Sequence, residues 1–291
     1  MFYRRKLLLG MIELWGGRMT RLDLQKVLFL VARRQKAAAF DFVPYRFGCF
    51  SFQSYADLRA MNTVGQMVTT DSDCASLDKG WFSQLTADDQ SILRQVKREV
   101  GALTGDALVH HVYREFPYYA IKSEIAGRIL TQEEQALVDL QRPLEKTPSW
   151  FTLGYEGRSL DAYLDALVRR NITHLVDVRK NAVSMKYGFS KSQLDKTCGY
   201  LGITYIHEPD LGIESEDRQQ LQSLKDYEAL FSRYEQTTLR TDSAKGALDR
   251  LQVLHQAVPR VALTCFEKDS QYCHRSRVSS ALEGKSPVRH L

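Results

Sequence analysis

A thiol, a carboxylate, an imidazole and a guanidinium gather near the C-terminus in Val261-Ala-Leu-Thr-Cys-Phe-Glu-Lys-Asp-Ser-Gln-Tyr-Cys-His-Arg-Ser-Arg277. The apolar run Val261 to Leu263 predicts a buried strand. Cys265 and Glu267 leave that strand, and Lys268-Asp269-Ser270-Gln271 has turn chemistry. Cys273-His274-Arg275 is then expected to open a helix. Ligands of open α/β sheets bind at such strand-to-helix turns. A helix start and a nearby arginine lower a thiol pKa, so Cys273 is a candidate thiolate, with Cys265 beside it. Glu267 could act as a general base or stabilise a cationic, sugar-like transition state. His274 or His207 could act as the partner acid. Zinc is not expected: its candidate ligands would be Cys265, Cys273, His274 and His207, with no close pair spacing among them. No metal and no cofactor are expected.

The residues that must position this stretch begin at Trp150. From there strands and helices alternate. Strands are predicted at 151–155, 174–178, 203–206 and 261–264, and helices at 159–170, 191–201, 224–233, 244–256 and 273–282. Alternation of this kind implies an α/β fold with a mostly parallel, Rossmann-like sheet. Every strand then delivers polar groups to one carboxyl edge. Tyr155, Glu156 and Arg158 follow the first strand, and Asp177, Arg179 and Lys180 the second. His207 and Glu208 follow the third, and Cys265, Glu267, Cys273, His274 and Arg275 the fourth. Arg158, Arg179 and Arg275 suit a phosphate or carboxylate. Asp177 is a second candidate catalytic carboxylate. Its alternative role is to hold its own loop by accepting backbone N–H groups, and Arg179 could equally be an ion-pair partner.

The N-terminal half is different. A helix over 1–15 closes at Gly16-Gly17, and Thr20 is a candidate N-cap for a helix over 22–34. An aromatic, Pro- and Gly-containing segment follows at 40–50. Ser51 or Ser54 is expected to cap a helix to Met61, and 64–70 is expected to pair with 80–82. Helices followed by a two-stranded ribbon are winged-helix order. The aromatic residues Phe40 to Phe52 suit core packing better than base stacking. Arg33, Arg34 and Lys36 suit a solvated helix end, with phosphate contact as the other reading. Residues 87–145 are expected to be mostly helical, and Arg142 to Pro148 reads as a linker. The expected domains are therefore 1–145, helical and winged-helix-like, and 150–291, α/β.

Two resemblances add to this. Leu24-Gln25-Lys26-Val27 with Pro44-Tyr45-Arg46-Phe47-Gly48-Cys49-Phe50-Ser51 resembles the Panacea antitoxin-like family, with Cys49 at the usual proline. That implies a protein- or nucleic-acid-binding module. Over about residues 150–285 the chain resembles the DUF488 family. The match rests on Gly154-Tyr-Glu-Gly157, Leu175-Val-Asp-Val-Arg-Lys-Asn-Ala-Val-Ser184, Gly188-Phe189, Tyr205-Ile-His-Glu-Pro-Asp-Leu-Gly212, Leu263-Thr-Cys-Phe-Glu-Lys-Asp269 and Cys273-His274-Arg275. It departs at Asn181-Ala182, where the family has a proline, and at Glu208-Pro209. The resemblance implies an α/β fold and marks the residues that matter, without a settled reaction.

The 291 residues carry a net charge of +5, divided almost evenly between the halves. Neither half is a basic module, so any nucleic-acid surface must be local. No apolar stretch reaches membrane-spanning length, and the short run after Arg4-Arg5-Lys6 breaks at Glu13 without a cleavage site. The cysteines, 5 in number and scattered, argue for reduced thiols and a cytoplasmic protein. Together these features predict an enzyme directed at nucleic acid (DNA ahead of RNA) or a nucleotide, hydrolytic or base-excising, in a repair, modification or defence setting. A non-catalytic DNA- or anion-binding regulatory module and a thiol-dependent transferase or redox protein are the alternatives. A second copy of the chain is a further candidate partner.

Overall fold

The computed structural model describes residues 1–291 except 215, 219, 220, 283 and 285 and the side chain of Arg218. The chain forms two compact units, Met1–Arg142 and Pro143–Leu291.

The first unit contains α1 (Tyr3–Leu14), β1 (Arg18–Thr20), α2 (Arg21–Ala32), β2 (Val43–Tyr45), β3 (Gly48–Phe50), α3 (Phe52–Thr63), β4 (Met67–Thr69), β5 (Asp73–Ser76), α4 (Ala87–Val100), α5 (Gly105–Glu115), α6 (Ala126–Ile129) and α7 (Gln132–Leu140). The Thr20 hydroxyl accepts from the Asp23 N–H at 3.0 Å, and Ser51 caps α3 in the same way at 3.2 Å. Of the aromatic segment Phe40, Phe42 and Phe52 are buried while Phe47 is exposed, and the Phe29 ring meets Phe42, Phe116 and Tyr119 edge-on at 4.5–5.2 Å. β1, β5 and β4 make an antiparallel sheet in that order, and β2 and β3 a hairpin. The partner of β4 is thus Asp73–Ser76, not residues 80–82. A tight turn at 70–72, closed by the Thr70 hydroxyl accepting from the Asp73 N–H, puts β5 next to β4. The Asp-Cys-Ala-Ser run has little strand propensity, which hid it. Residues 82–84 form a 3₁₀ turn instead, and the Glu13 carboxylate accepts from the Gly80 and Phe82 N–H groups at 2.9 Å each.

The second unit contains β6 (Ser149–Gly154), α8 (Leu160–Arg169), β7 (His174–Asp177), α9 (Lys191–Tyr200), β8 (Thr204–His207), α10 (Leu224–Gln236), α11 (Asp242–Ala257), β9 (Arg260–Cys265), α12 (Arg275–Leu282) and β10 (Val288–His290). All neighbouring strands are parallel, in the order β10-β6-β9-β7-β8. Helices flank a five-stranded Rossmann-like sheet, as the alternation requires. β10 is a fifth strand that the sequence does not announce. Three residues, Val-Arg-His, are too short to show a period. β6 and β9 are buried at every position, as expected of strands covered on both faces. β9 pairs with both β6 and β7, so the chain crosses over its slot between those strands and fills it later. Cys273 has φ −134° and ψ 132°, so it is extended, and α12 begins at Arg275 rather than Cys273. Among the described residues no helix is long and apolar enough to cross a membrane.

Gly154, the last residue of β6, fixes where the loop after β9 can lie. A Cβ on it would sit 1.8 Å from the Glu267 carbonyl oxygen, so only glycine lets that loop rest against the strand end. Gly154→Ala is expected to lower stability by about 1–3 kcal/mol, as over-packing a fitted interior does. A urea unfolding midpoint equal to wild type would show that the loop yields without cost.

Candidate functional site

The carboxyl ends of β6, β9, β7 and β8 lie side by side. At the end of β7, Asp177 has no exposed surface, and Arg179, two residues on, is 6% exposed. The Asp177 carboxylate accepts from the Arg179 N–H at 3.1 Å, from Arg179 Nε at 2.8 Å, and from the Tyr205 hydroxyl of β8 at 2.7 Å. Arg179 Nη2 joins the same ion pair. The rest of the guanidinium donates to the Tyr155 hydroxyl at 2.8 Å and the Phe189 carbonyl at 2.9 Å. Burial alone would lower the Arg179 pKa, but the Asp177 hydrogen bonds and charge outweigh it and push it up. Burial and then the Asp177 charge push the Tyr205 hydroxyl up, so it stays a donor. Tyr155 stacks on Phe189 with ring centres 4.3 Å apart.

Asp177, expected as a catalytic carboxylate, is therefore saturated by its neighbours, and Arg179, expected to bind an anion, directs its donors inward. The reason is local: Arg179 folds back across one residue onto the carboxylate that also holds its backbone N–H. Arg275 is likewise internal. It is 1% exposed, and Nη1 and Nη2 donate to the Glu267 and Lys268 carbonyls at 2.5 and 2.9 Å. Its guanidinium clamps the loop after β9 instead of facing a ligand. Glu208 is taken up by Arg250, with Nη2 donating at 2.7 Å. Lys180 pairs with Glu214 at 2.8 Å, and the His207 Nε2–H donates to the Arg179 carbonyl at 2.9 Å.

Of the expected anion binders, Arg158 is half-buried, and its Nε is buried with no hydrogen-bond partner. Close by, Lys186 donates to the Tyr155 carbonyl at 2.8 Å, and its Nζ lies 5.5 Å from the Phe189 ring centre. Burial lowers the Lys186 pKa while the Glu156 charge opposes it. No sequence signal singled out Lys186. Phe189 had one, since it directly precedes the Ser190 start of α9, whereas Tyr205 lies inside the partly exposed β8.

The remaining groups converge. Cys265 donates from Sγ to Glu267 Oε2 at 3.3 Å, and the same sulfur is 3.8 Å from His274 Nδ1. His274 Nε2 is 2.9 Å from the Val178 carbonyl, which can only accept, so Nε2 carries the proton and Nδ1 presents its lone pair toward the thiol. The ligand-type atoms of Cys265, Cys273 and His274 all lie within 4.8 Å of one another, and all these residues are buried. Burial raises the Cys273 thiol well above its usual range, with Cys265 and Glu267 adding to it and Arg275 opposing, so it is a neutral thiol rather than the expected thiolate. Glu267 is only partly buried and stands between this cluster and solvent.

Residues 159–282 match the family described as Domain of unknown function DUF488. No curated protein matches the chain. The family match lies within the second unit and includes Asp177, Arg179, Glu267 and the Cys273-His274-Arg275 run.

Removing one partner of a buried pair leaves the other charge uncompensated. Asp177→Asn is thus not a fold-neutral change and is expected to cost about 3–5 kcal/mol of stability. Tyr205→Phe leaves the carboxylate bound to Arg179 and should cost less, about 1.5–3 kcal/mol. Denaturant midpoints of the two variants test this, and equal small losses would mean that the pair is not what holds the edge.

Proposed function

We propose that this chain acts on nucleic acid, DNA ahead of RNA, or on a nucleotide, by a hydrolytic or base-excising reaction at the carboxyl edge of the parallel sheet. One observation carries the nucleic-acid part. In the first unit the order is α1, β1, α2, the β2–β3 hairpin, α3, β4, β5, with β1 beside β5 and β5 beside β4. We read this as a winged-helix-like order interrupted by the β2–β3 hairpin, with the turn at 70–72 as the wing. α3 would take the groove-facing position of a helix-turn-helix unit. Arg59, Asn62 and Thr63 are exposed at its C-terminal half. Other arginines of the unit are held in ion pairs: Arg4 and Arg5 with Asp57, Arg18 with Asp73, and Arg34 with Glu99. The phosphate role considered for Arg34 therefore weakens, and Arg59 is the better contact.

At the second unit, the partly exposed Glu267 is the carboxylate best placed for acid or base work, with Arg158 the cation best placed for an anionic group. Asp177 is a positioning residue for Arg179. A second reading, a thiol-dependent transferase, draws support from the Cys265–His274 contact at 3.8 Å. Burial of both thiols and the raised Cys273 pKa speak against it.

Mass analysis of DNA and RNA oligonucleotides incubated with the protein tests the reaction. Strand scission or base loss with wild type, abolished by Glu267→Gln, is the expected outcome. Salt-dependent binding with no product from any oligonucleotide would instead make the chain a non-catalytic binding module. In fluorescence anisotropy, Arg59→Glu should weaken duplex binding and flatten its salt dependence by about one unit of slope. Binding unchanged in that variant would remove α3 from the interface.

A further inference from the structure

We infer that Cys265, Cys273 and His274 form a zinc(II) site, with the Glu267 carboxylate in its fourth position. The inference rests only on the cluster itself and not on the nucleic-acid reading; with zinc bound, Glu267 is a ligand and no longer the acid or base of that reading. Two thiols and an imidazole nitrogen, with a carboxylate beside them, are a borderline-soft donor set of the kind that selects zinc over the hard cations. Their ligand-type atoms, Glu267 aside, lie within 4.8 Å of one another. Tetrahedral zinc with the usual Zn–S and Zn–N lengths puts a sulfur and a nitrogen ligand about 3.6 Å apart. The Cys265 Sγ to His274 Nδ1 distance is 3.8 Å, and Cys265 Sγ to Glu267 Oε2 is 3.3 Å. Cys265 Sγ and His274 Nδ1 need shift only a few tenths of an ångström, whereas the Glu267 carboxylate, outside the group within 4.8 Å, has to swing inward to take the fourth position.

The surroundings match a metal site as well. Metal-bound histidines donate their other ring N–H to a carbonyl or carboxylate, which fixes the ring and its tautomer. His274 does this to the Val178 carbonyl at 2.9 Å. The shell is dry: Cys265, Cys273 and His274 are each 1% exposed, and both cysteines belong to an apolar cluster that includes Val178, Phe231 and Leu263. The partly exposed Glu267 provides the entry side. Charge also balances. Zinc with two thiolates, a neutral imidazole and a carboxylate carries one net negative charge. The buried Arg275 guanidinium, whose charge acts on Cys273, offsets it. Spacing along the chain conceals this site, because the loop after β9 has to fold back before Cys273 and His274 reach Cys265.

Cobalt(II) is the probe. The full chain, purified under reductant and stripped of metal by chelator, is titrated with cobalt chloride and followed by absorption. A single equivalent should give a thiolate-to-cobalt charge-transfer band with tetrahedral d–d bands, and zinc should displace it. Cys273→Ser should lose the site, whereas Cys198→Ser, a thiol of α9 outside the cluster, should keep it. Glu267→Gln retains both thiols and guards against a misfolded Cys273 variant. It should keep the charge-transfer band and shift the d–d bands. An octahedral, aquo-like cobalt spectrum with the fully reduced wild type would overturn the site. So would an identical spectrum in folded Cys273→Ser, or a Cys265–Cys273 disulfide that persists in reductant. Unchanged d–d bands in Glu267→Gln would overturn the fourth position.

Discussion

An ionised carboxylate with no exposed surface is tolerated only if nearly every lone pair is met, and the carboxyl edge of this sheet is arranged around one, Asp177. Its partner Arg179 comes from the loop that follows the same strand. Each remaining donor of that guanidinium goes to another element: the Tyr155 hydroxyl after β6 and the Phe189 carbonyl before α9. Tyr205 closes the carboxylate from β8. One pair thus ties three strand ends and a helix entry together. Removing either charge would leave the other stranded in a dry interior, and the positions of Tyr155 and Phe189 would be lost with it.

The fourth strand end is held by different means. The loop after β9 rests against Gly154, which has no side chain to keep it away. Arg275 grips its carbonyls from below, and His274 bonds to the backbone between Asp177 and Arg179. Cys265, Cys273 and His274 therefore converge because the loop has no other place to lie. Glu267 stays at the boundary with solvent because its backbone, not its side chain, is what the arginine and the glycine constrain. The result is an edge whose arginines are mostly structural, with the Glu267 carboxylate beside a sulfur–imidazole cluster.

Much of this was legible in the chain before folding. β6 and β9 are built on the short apolar runs Trp150-Phe151 and Val261 to Leu263, and helices separate the strands, so a parallel sheet and its carboxyl edge follow from pattern alone. Thr20 and Ser51 announce their helices because an N-cap is a contact over three residues. What short patterns carry poorly was missed: β5, built from Asp-Cys-Ala-Ser, and β10, only three residues at the sheet edge.

The sequence by itself determined which residues reach the edge: Tyr155, Asp177, Arg179, His207, Cys265 and Glu267 all follow from where strands end. Only the tertiary structure decided what each does there. Whether an arginine faces a ligand or its own chain depends on which carbonyls and carboxylates other strands bring within 3 Å of it, and those neighbours are distant in sequence. Asp177 and Glu267 have the same chemistry on paper. Burial under Tyr205 and Arg179 makes one of them a brace, and a place at the surface beside the Cys265 thiol leaves the other partly exposed.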